Sequence, residues 1–295
     1  MNTGERIAIG SVGIGCAVLG LKAAAWRITG SAAFFSDALE TTVNVAASLI
    51  AFYAVRLAGK PADAGHPYGH QKAEFFAAVI EGVLIVLAAV AIFAKAWTAF
   101  RGPHVLDLPL RGIGFSAAGT VLNAGWSVLL LRTGKQLRSA ALTADGWHLM
   151  ADVVTSLGLI IGVGLVVLTG IIEIDPAVAA LAGVYVLWSG LGTISSSVGA
   201  LMDAAPDQTI VTRIRELLAE SAAGALEAHD LRMRHAGRLT YLEFHLVVPG
   251  SMTVAEAHAI CDRIESRLRT EMDYLVITIH VEPEERAKQH GVPIL

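Results

Sequence analysis

Six stretches of this chain are each long and apolar enough to cross a bilayer, and that excludes most folds before any motif is read. They fall near residues 7–26, 31–55, 74–98, 113–132, 139–168 and 176–199. A hydrocarbon core of roughly 30 Å asks for about 20 such residues per helix. Backbone groups inside lipid must be satisfied internally, and apolar stretches of this length do so as α-helices. Composition agrees: of 295 residues, 54% are hydrophobic and only 16% charged, with a mean hydropathy of +0.59. That balance belongs to a membrane protein and not to an ordinary soluble domain. The first stretch follows MNTGER and has no small-residue cleavage pattern, so it is read as retained and not as a removed signal peptide.

An even number of spans puts both ends of the chain on one side. Arg6, Arg56, Lys60, Lys72, Arg132, Lys135 and Arg138 lie in the N-terminal segment and the 56–73 and 132–138 loops, against Arg27, Arg101 and Arg111 on the other side. Positive charge gathers on the cytoplasmic side, so both termini are expected in the cytoplasm of a multi-pass protein of the plasma or inner membrane. Lys22 and Lys95 stand near helix ends, where their stems can snorkel to the interface, and are left out of this balance. Net charge is only -4 and no basic stripe exists, which removes nucleic acid as a partner. Cys16 and Cys261 are far apart and form no CxxC, so neither a disulfide framework nor a thiolate zinc cage is expected.

The composition changes at MDAAPDQ, residues 202–208, where evenly spaced charges replace the apolar monotony. Residues 207–222 place Ile210, Ile214, Leu217 and Leu218 at helical spacing. LEAHDLRMRH and LTYLEFHLVV read as strands joined by a short turn at AGR, a second helix covers 253–271, and YLVITIHVEP is a third strand. The order αββαβ predicts a two-layer sandwich with helices on one face of a mixed sheet. The domains are therefore placed at 1–203 and 204–286, with 287–295 as a loose tail. His104, His235 and His290 read as solvated loop residues.

Charged and polar groups within a bilayer are expensive, and they call for a reason. The second stretch holds Asp37, Glu40 and Asn44, and the fifth holds Asp145, His148 and Asp152. Glu40 with Asn44, and His148 with Asp152, are i,i+4 pairs, so each pair lies on one helical face. If the second and fifth helices pack together, carboxylate, amide and imidazole donors can surround one ion tetrahedrally, as zinc prefers. Asp37 and Asp145 read as supporting residues that orient ligands or line a water path. Between the second and third stretches, PADAGHPYGH offers Asp63, His66 and His70 as convergent nitrogen and oxygen ligands on a loop bent by Gly65, Pro67 and Gly69. Histidines at such spacing also serve as helix caps or headgroup contacts.

Taken together, the six spans, SDALE in the second, HPYGHQKAE after it, HxxxD at His148 and Asp152, and the αββαβ tail resemble the cation diffusion facilitators, the family that includes zinc/proton antiporters. The resemblance covers nearly the whole chain. It implies an α-helical membrane protein with six transmembrane helices and a cytoplasmic, ferredoxin-like or metallochaperone-like domain. It also implies a transport site at Glu40, Asn44, His148 and Asp152, a loop site at Asp63, His66 and His70, and a homodimer. In the second domain it implies metal at His229, His245, His280 and Glu282, with His258 as a further ligand. Lys72 and Asp203 would form a latch between the domains. The divalent cation would be both substrate and regulatory ligand, and cytoplasmic metal on the tail would tighten the dimer.

A site of this kind couples to protons, because a cation needs a neutral histidine and ionised carboxylates. An imidazole's ordinary pKa of about 6.5 lies within reach of a cellular pH gradient. The chain departs from the family's zinc pattern at Glu40 and Asn44, where aspartate or histidine with aspartate is usual. The neutral Asn44 leaves one fewer group able to carry a proton. Zinc fits this donor set, and so do iron(II), manganese, cobalt, nickel and cadmium, since no sulfur narrows the choice. No helical HExxH appears, so an intramembrane metalloenzyme is not expected. A membrane-embedded sensor or structural protein that holds metal without moving it is the alternative reading.

Overall fold

The computed structural model describes residues 2–29, 32–101, 110–171, 173–288 and 292–293. Some side chains within those spans, those of Asp37 and Glu40 among them, lie outside the described set, as do His104 and His290. The chain divides into two compact units, Met1–Val198 and Gly199–Leu295.

Six long helices build the first unit: α1 (Thr3–Thr29), α2 (Ala32–Ala58), α3 (Ala73–Arg101), α4 (Leu110–Leu137), α5 (Ala140–Thr169) and α6 (Ile174–Leu201). They fall on the six apolar stretches of the sequence. Among the described residues, four are long and apolar enough to cross a membrane: Thr3–Ile28, Thr41–Ala58, Ala73–Arg101 and Pro176–Leu201. Helix α1 packs on α2 and α4, and α5 packs on α2, α3 and α4. Small residues allow the closest approaches, as in helix pairs that lack a hydrophobic drive in lipid. A Cβ on Gly82 of α3 would stand 2.7 Å from Ile194 and 3.2 Å from the Gly190 carbonyl oxygen of α6.

Two expectations for this unit need correction. The 132–138 loop is mostly helix, since α4 runs on to Leu137 through the good helix formers Lys135, Gln136 and Leu137. The helix then stops sharply: Arg138 takes the left-handed conformation, φ 50°, and the Ser139 amide donates to the Gly134 carbonyl at 2.8 Å. Lys22 does not snorkel. It is 3% exposed and lies against Gly119 in the α1–α4 seam, where the missing side chain leaves it room.

The second unit runs α7 (Gln208–Ser221), β1 (Glu227–Ala236), β2 (Leu239–Val248), α8 (Val254–Glu271), β3 (Leu275–Pro283), a 3-10 turn at Glu284–Arg286 and the short β4 (Val292–Pro293). Asp207 caps α7 through the Thr209 amide, and Thr253 with Glu256 forms a reciprocal capping box on α8. The sheet order is β3-β2-β1-β4, with β1–β2 and β1–β4 antiparallel and β2–β3 parallel. Ile214, Leu217 and Leu218 of α7 and Ile260, Ile264 and Leu268 of α8 cover one sheet face, meeting Leu242, Phe244 and Leu246 of β2. Each such fully buried side chain contributes roughly 1.5–3 kcal/mol of transfer free energy. The alternation of β2 sends Tyr241, Glu243 and His245 to the opposite face.

His235 is also corrected. It belongs to β1 opposite Thr240, and its Nδ1 lies 3.0 Å from the Thr240 hydroxyl. The turn is narrower than AGR, because Ala236 already pairs with Leu239 and only Gly237, at φ 58°, and Arg238 make the reversal. Nor is the tail wholly loose: Val292 and Pro293 pair with Ala228 and Glu227, and Lys288 forms an ion pair with Asp230 at 2.6 Å.

Candidate metal centres

Packing of α2 on α5 brings Asn44, His148 and Asp152 together in the first unit. The His148 Nε2–H donates to Asn44 Oδ1 at 2.7 Å, and the Asn44 amide donates in turn to the Asp152 carboxylate. Asn44 is 3% exposed and His148 6%, while Asp152 is half-buried. Glu40 stands one turn before Asn44 on α2, but its side chain and that of Asp37 lie outside the described residues. Asp145 is fully buried and points elsewhere, accepting hydrogen bonds from Ser11 of α1 and from Ser48 of α2, the latter at 2.9 Å. It therefore ties α5 to two neighbours in the layer beside His148. Sequence reading passed over Ser11 and Ser48, since isolated serines in apolar helices carry no pattern of their own.

The 59–72 loop forms the second cluster. The Asp63 Oδ1 accepts from the His66 amide at 2.8 Å and the Gly65 amide at 2.9 Å. These two amides, His66 first, hold the exposed Asp63 carboxyl below its usual range, so it stays ionised as pH falls through the ordinary carboxylate value. His66 Nδ1 is 3.4 Å and His70 Nε2 3.5 Å from the same carboxylate. The ligand atoms of Asp63, His66 and His70 all lie within 4.8 Å of one another. Gly69, at φ 82°, turns the chain so that His70 can swing back. The buried Nδ1 of His70 has no hydrogen-bond partner among the described residues, and this N/O donor set fits a divalent cation.

In the second unit, strand register lines up three histidines on the sheet face that the helices leave open. His229 of β1 pairs with His245 of β2, and His245 with His280 of β3. Glu282 reaches all three, 3.3 Å from His229 Nε2, 3.2 Å from His245 Nδ1 and 3.6 Å from His280 Nε2. His258 stands apart on α8, exposed, 3.6 Å from Asp262. Two acids were missed by sequence reading. Glu227 lies 3.2 Å from His229 Nδ1, and as the residue two before it on one strand it shared a face legibly. Asp230 has a ligand oxygen within 4.8 Å of His229 and His245 ligand atoms. It was hidden because strict alternation sends it to the other face. A bulge between His229 and Arg232, with Asp230 left-handed at φ 51°, turns it back. The hydrogen bond from Lys288 holds the Asp230 carboxyl below its usual range.

Asp203 closes α6 in the left-handed conformation, φ 58°, and accepts a hydrogen bond from Arg234 of its own unit at 3.3 Å. Lys72 precedes α3 in the other unit.

These features match known proteins over nearly the whole length. Residues 8–202 match the cation efflux transmembrane domain, and residues 206–284 match the cytoplasmic domain of cation efflux proteins. A Synechocystis protein described as an uncharacterized transporter, sll1263, is 39% identical over 97% of this chain and 92% of its own. The cation-efflux pump FieF of Yersinia pestis is 30% identical over 95% of this chain and 92% of its own. A solved structure of CzrB in its zinc form is 48% identical over 29% of this chain and 97% of that one, with a TM-score of 0.28. The matched families and relatives are transporters and not enzymes. The chain is a membrane protein that belongs to the cation diffusion facilitator family, the efflux transporters of divalent metal cations.

Proposed function

We propose that the protein exports a divalent cation, zinc first, in exchange for protons, by alternating exposure of the α2–α5 site. One observation carries this reading: an amide, an imidazole and a carboxylate from two helices meet in one hydrogen-bonded chain inside the membrane unit. No cation is needed to satisfy that chain, and the same atoms can turn onto one. Loading through His148 Nε2 requires its proton to leave or to move to Nδ1, because that N–H now donates to Asn44. Cation arrival thus expels protons, and protons from the far side displace the cation. Glu40 completes the site on α2.

The wider reading has six spans, both termini in the cytoplasm and a ferredoxin-like second unit. In it Asp63, His66 and His70 hold a loop metal, and the row of His229, His245, His280 and Glu282 binds regulatory metal that tightens a homodimer. The row is supported by its register across three strands, while His258 stays outside it. Lys72 and Asp203 act as the latch between domains, Asp203 also serving Arg234.

The test is flux in vesicles containing the purified chain. Zinc movement that follows an imposed pH gradient supports antiport, and saturable zinc binding without flux supports a sensor. Competition with iron(II), manganese, cobalt and cadmium ranks the substrates. Asn44→Asp should alter the metal preference or raise the exchange by about one proton per cation, since it adds an ionisable group to the site. Unchanged selectivity and stoichiometry would turn Asn44 away from the ion.

A further inference from the structure

Helix α3 carries an acid that no site described above uses. Glu81 sits in VIEGVLIV, is 0% exposed, and neither of its carboxylate oxygens has a hydrogen-bond partner among the described residues. A bare carboxylate in such surroundings is very costly, whereas a carboxylic acid is tolerable. The neighbouring Gly82 lets α3 approach Gly190 and Ile194 of α6 closely.

The groups around Glu81 say what its proton is for. On α3, Glu74 lies two turns earlier on the same face and accepts a hydrogen bond from Ser139 at the start of α5. From α5, which packs on α3, the buried acid is Asp145, and His148 follows it by one turn. From α6 the titratable group is Tyr185, packed against the apolar cluster that contains Ile85, one turn beyond Glu81. From α2 the acids are Asp37 and Glu40, whose side chains lie outside the described residues. No lysine or arginine is among these groups.

We propose that Glu81 is a proton-carrying site of the membrane unit, protonated in the conformation described and deprotonated when a divalent cation loads the α2–α5 site. The O–H bond of its carboxyl breaks, the proton leaves to water, and the negative charge left on Glu81 is offset by the arriving cation. Coupling needs no contact with the ion: a double positive charge near His148, one turn from Asp145, changes the local field in a medium that screens poorly. Glu81 would supply the proton-carrying group that the neutral Asn44 does not. The inference rests on the proton-exchange reading, yet it can fail separately.

The experiment uses the full-length chain and zinc alone. Infrared difference spectra with and without zinc should show the wild type losing a protonated-carboxyl carbonyl band. Glu81→Gln should lack that loss and should release about one fewer proton per zinc bound, counted by calorimetry in two buffers. Glu81→Asp should keep the loss at a shifted frequency. A full band loss and wild-type proton count in Glu81→Gln would overturn the proposal. If Glu81→Gln does not fold, an unshifted band in Glu81→Asp overturns it instead. Band loss in the wild type together with absence of pH-driven flux would leave Glu81 standing while antiport falls.

Discussion

Asp152→Ala should lower zinc flux into vesicles by about 100-fold or more, with the helical content of the protein unchanged. The estimate follows the penalty commonly seen when groups that hold or orient a metal ligand are removed, and a direct ligand should cost at least the upper end of that range. Asp152 accepts the last hydrogen bond in the chain from His148 through Asn44. Alanine removes one of the anionic donors from the cation's surroundings and leaves the Asn44 N–H groups in a buried place short of an acceptor, at a cost of about 1–3 kcal/mol. The folded state tolerates that loss, because α5 is also held by α3 and α4, and α2 by α1 and α3. Flux comparable to the wild type would take Asp152 out of the site and, with it, the transport mechanism proposed here.

Phe244→Ala should destabilise the second unit by about 3–5 kcal/mol. Phe244 is 1% exposed, lies at the middle of the central strand β2, and packs into the cluster formed with α7 and α8. Its neighbour His245 points to the other face, so the substitution leaves the histidine row chemically intact while weakening the scaffold that holds its register. Metal that binds only the folded unit would then show a lower apparent affinity, by mass action. Hydrogen exchange along β2 of the full-length chain reads the loss directly. A change below about 1 kcal/mol would mean that Phe244 is not in a close-packed core.

Much of the architecture was legible because its periods are strong. Six apolar stretches became six helices within a few residues, and LTYLEFHLVV is β2 from its first residue to its last. The i,i+4 pairs needed only helix geometry to put Asn44 on one face of α2 and His148 with Asp152 on one face of α5. What escaped reading depended on departures from period or on neighbours distant in sequence. Asp230 is on the histidine side because a bulge breaks the alternation. Lys22 is buried because a glycine of another helix makes space for it.

The amino-acid sequence alone settled the course of the long helices, of α7 and α8 and of β1 to β3, and, wherever the repeat is unbroken, which residues share a face, since side-chain direction within an element follows from its repeat. Only the tertiary structure decided which faces meet: that α2 turns Asn44 toward α5, that β1, β2 and β3 align His229, His245 and His280 in one row, and that Glu81 is buried with no hydrogen-bond partner among the described residues. A repeat sets angles about one axis, and the rotation of one axis against another is chosen by the shapes of side chains far apart in the chain.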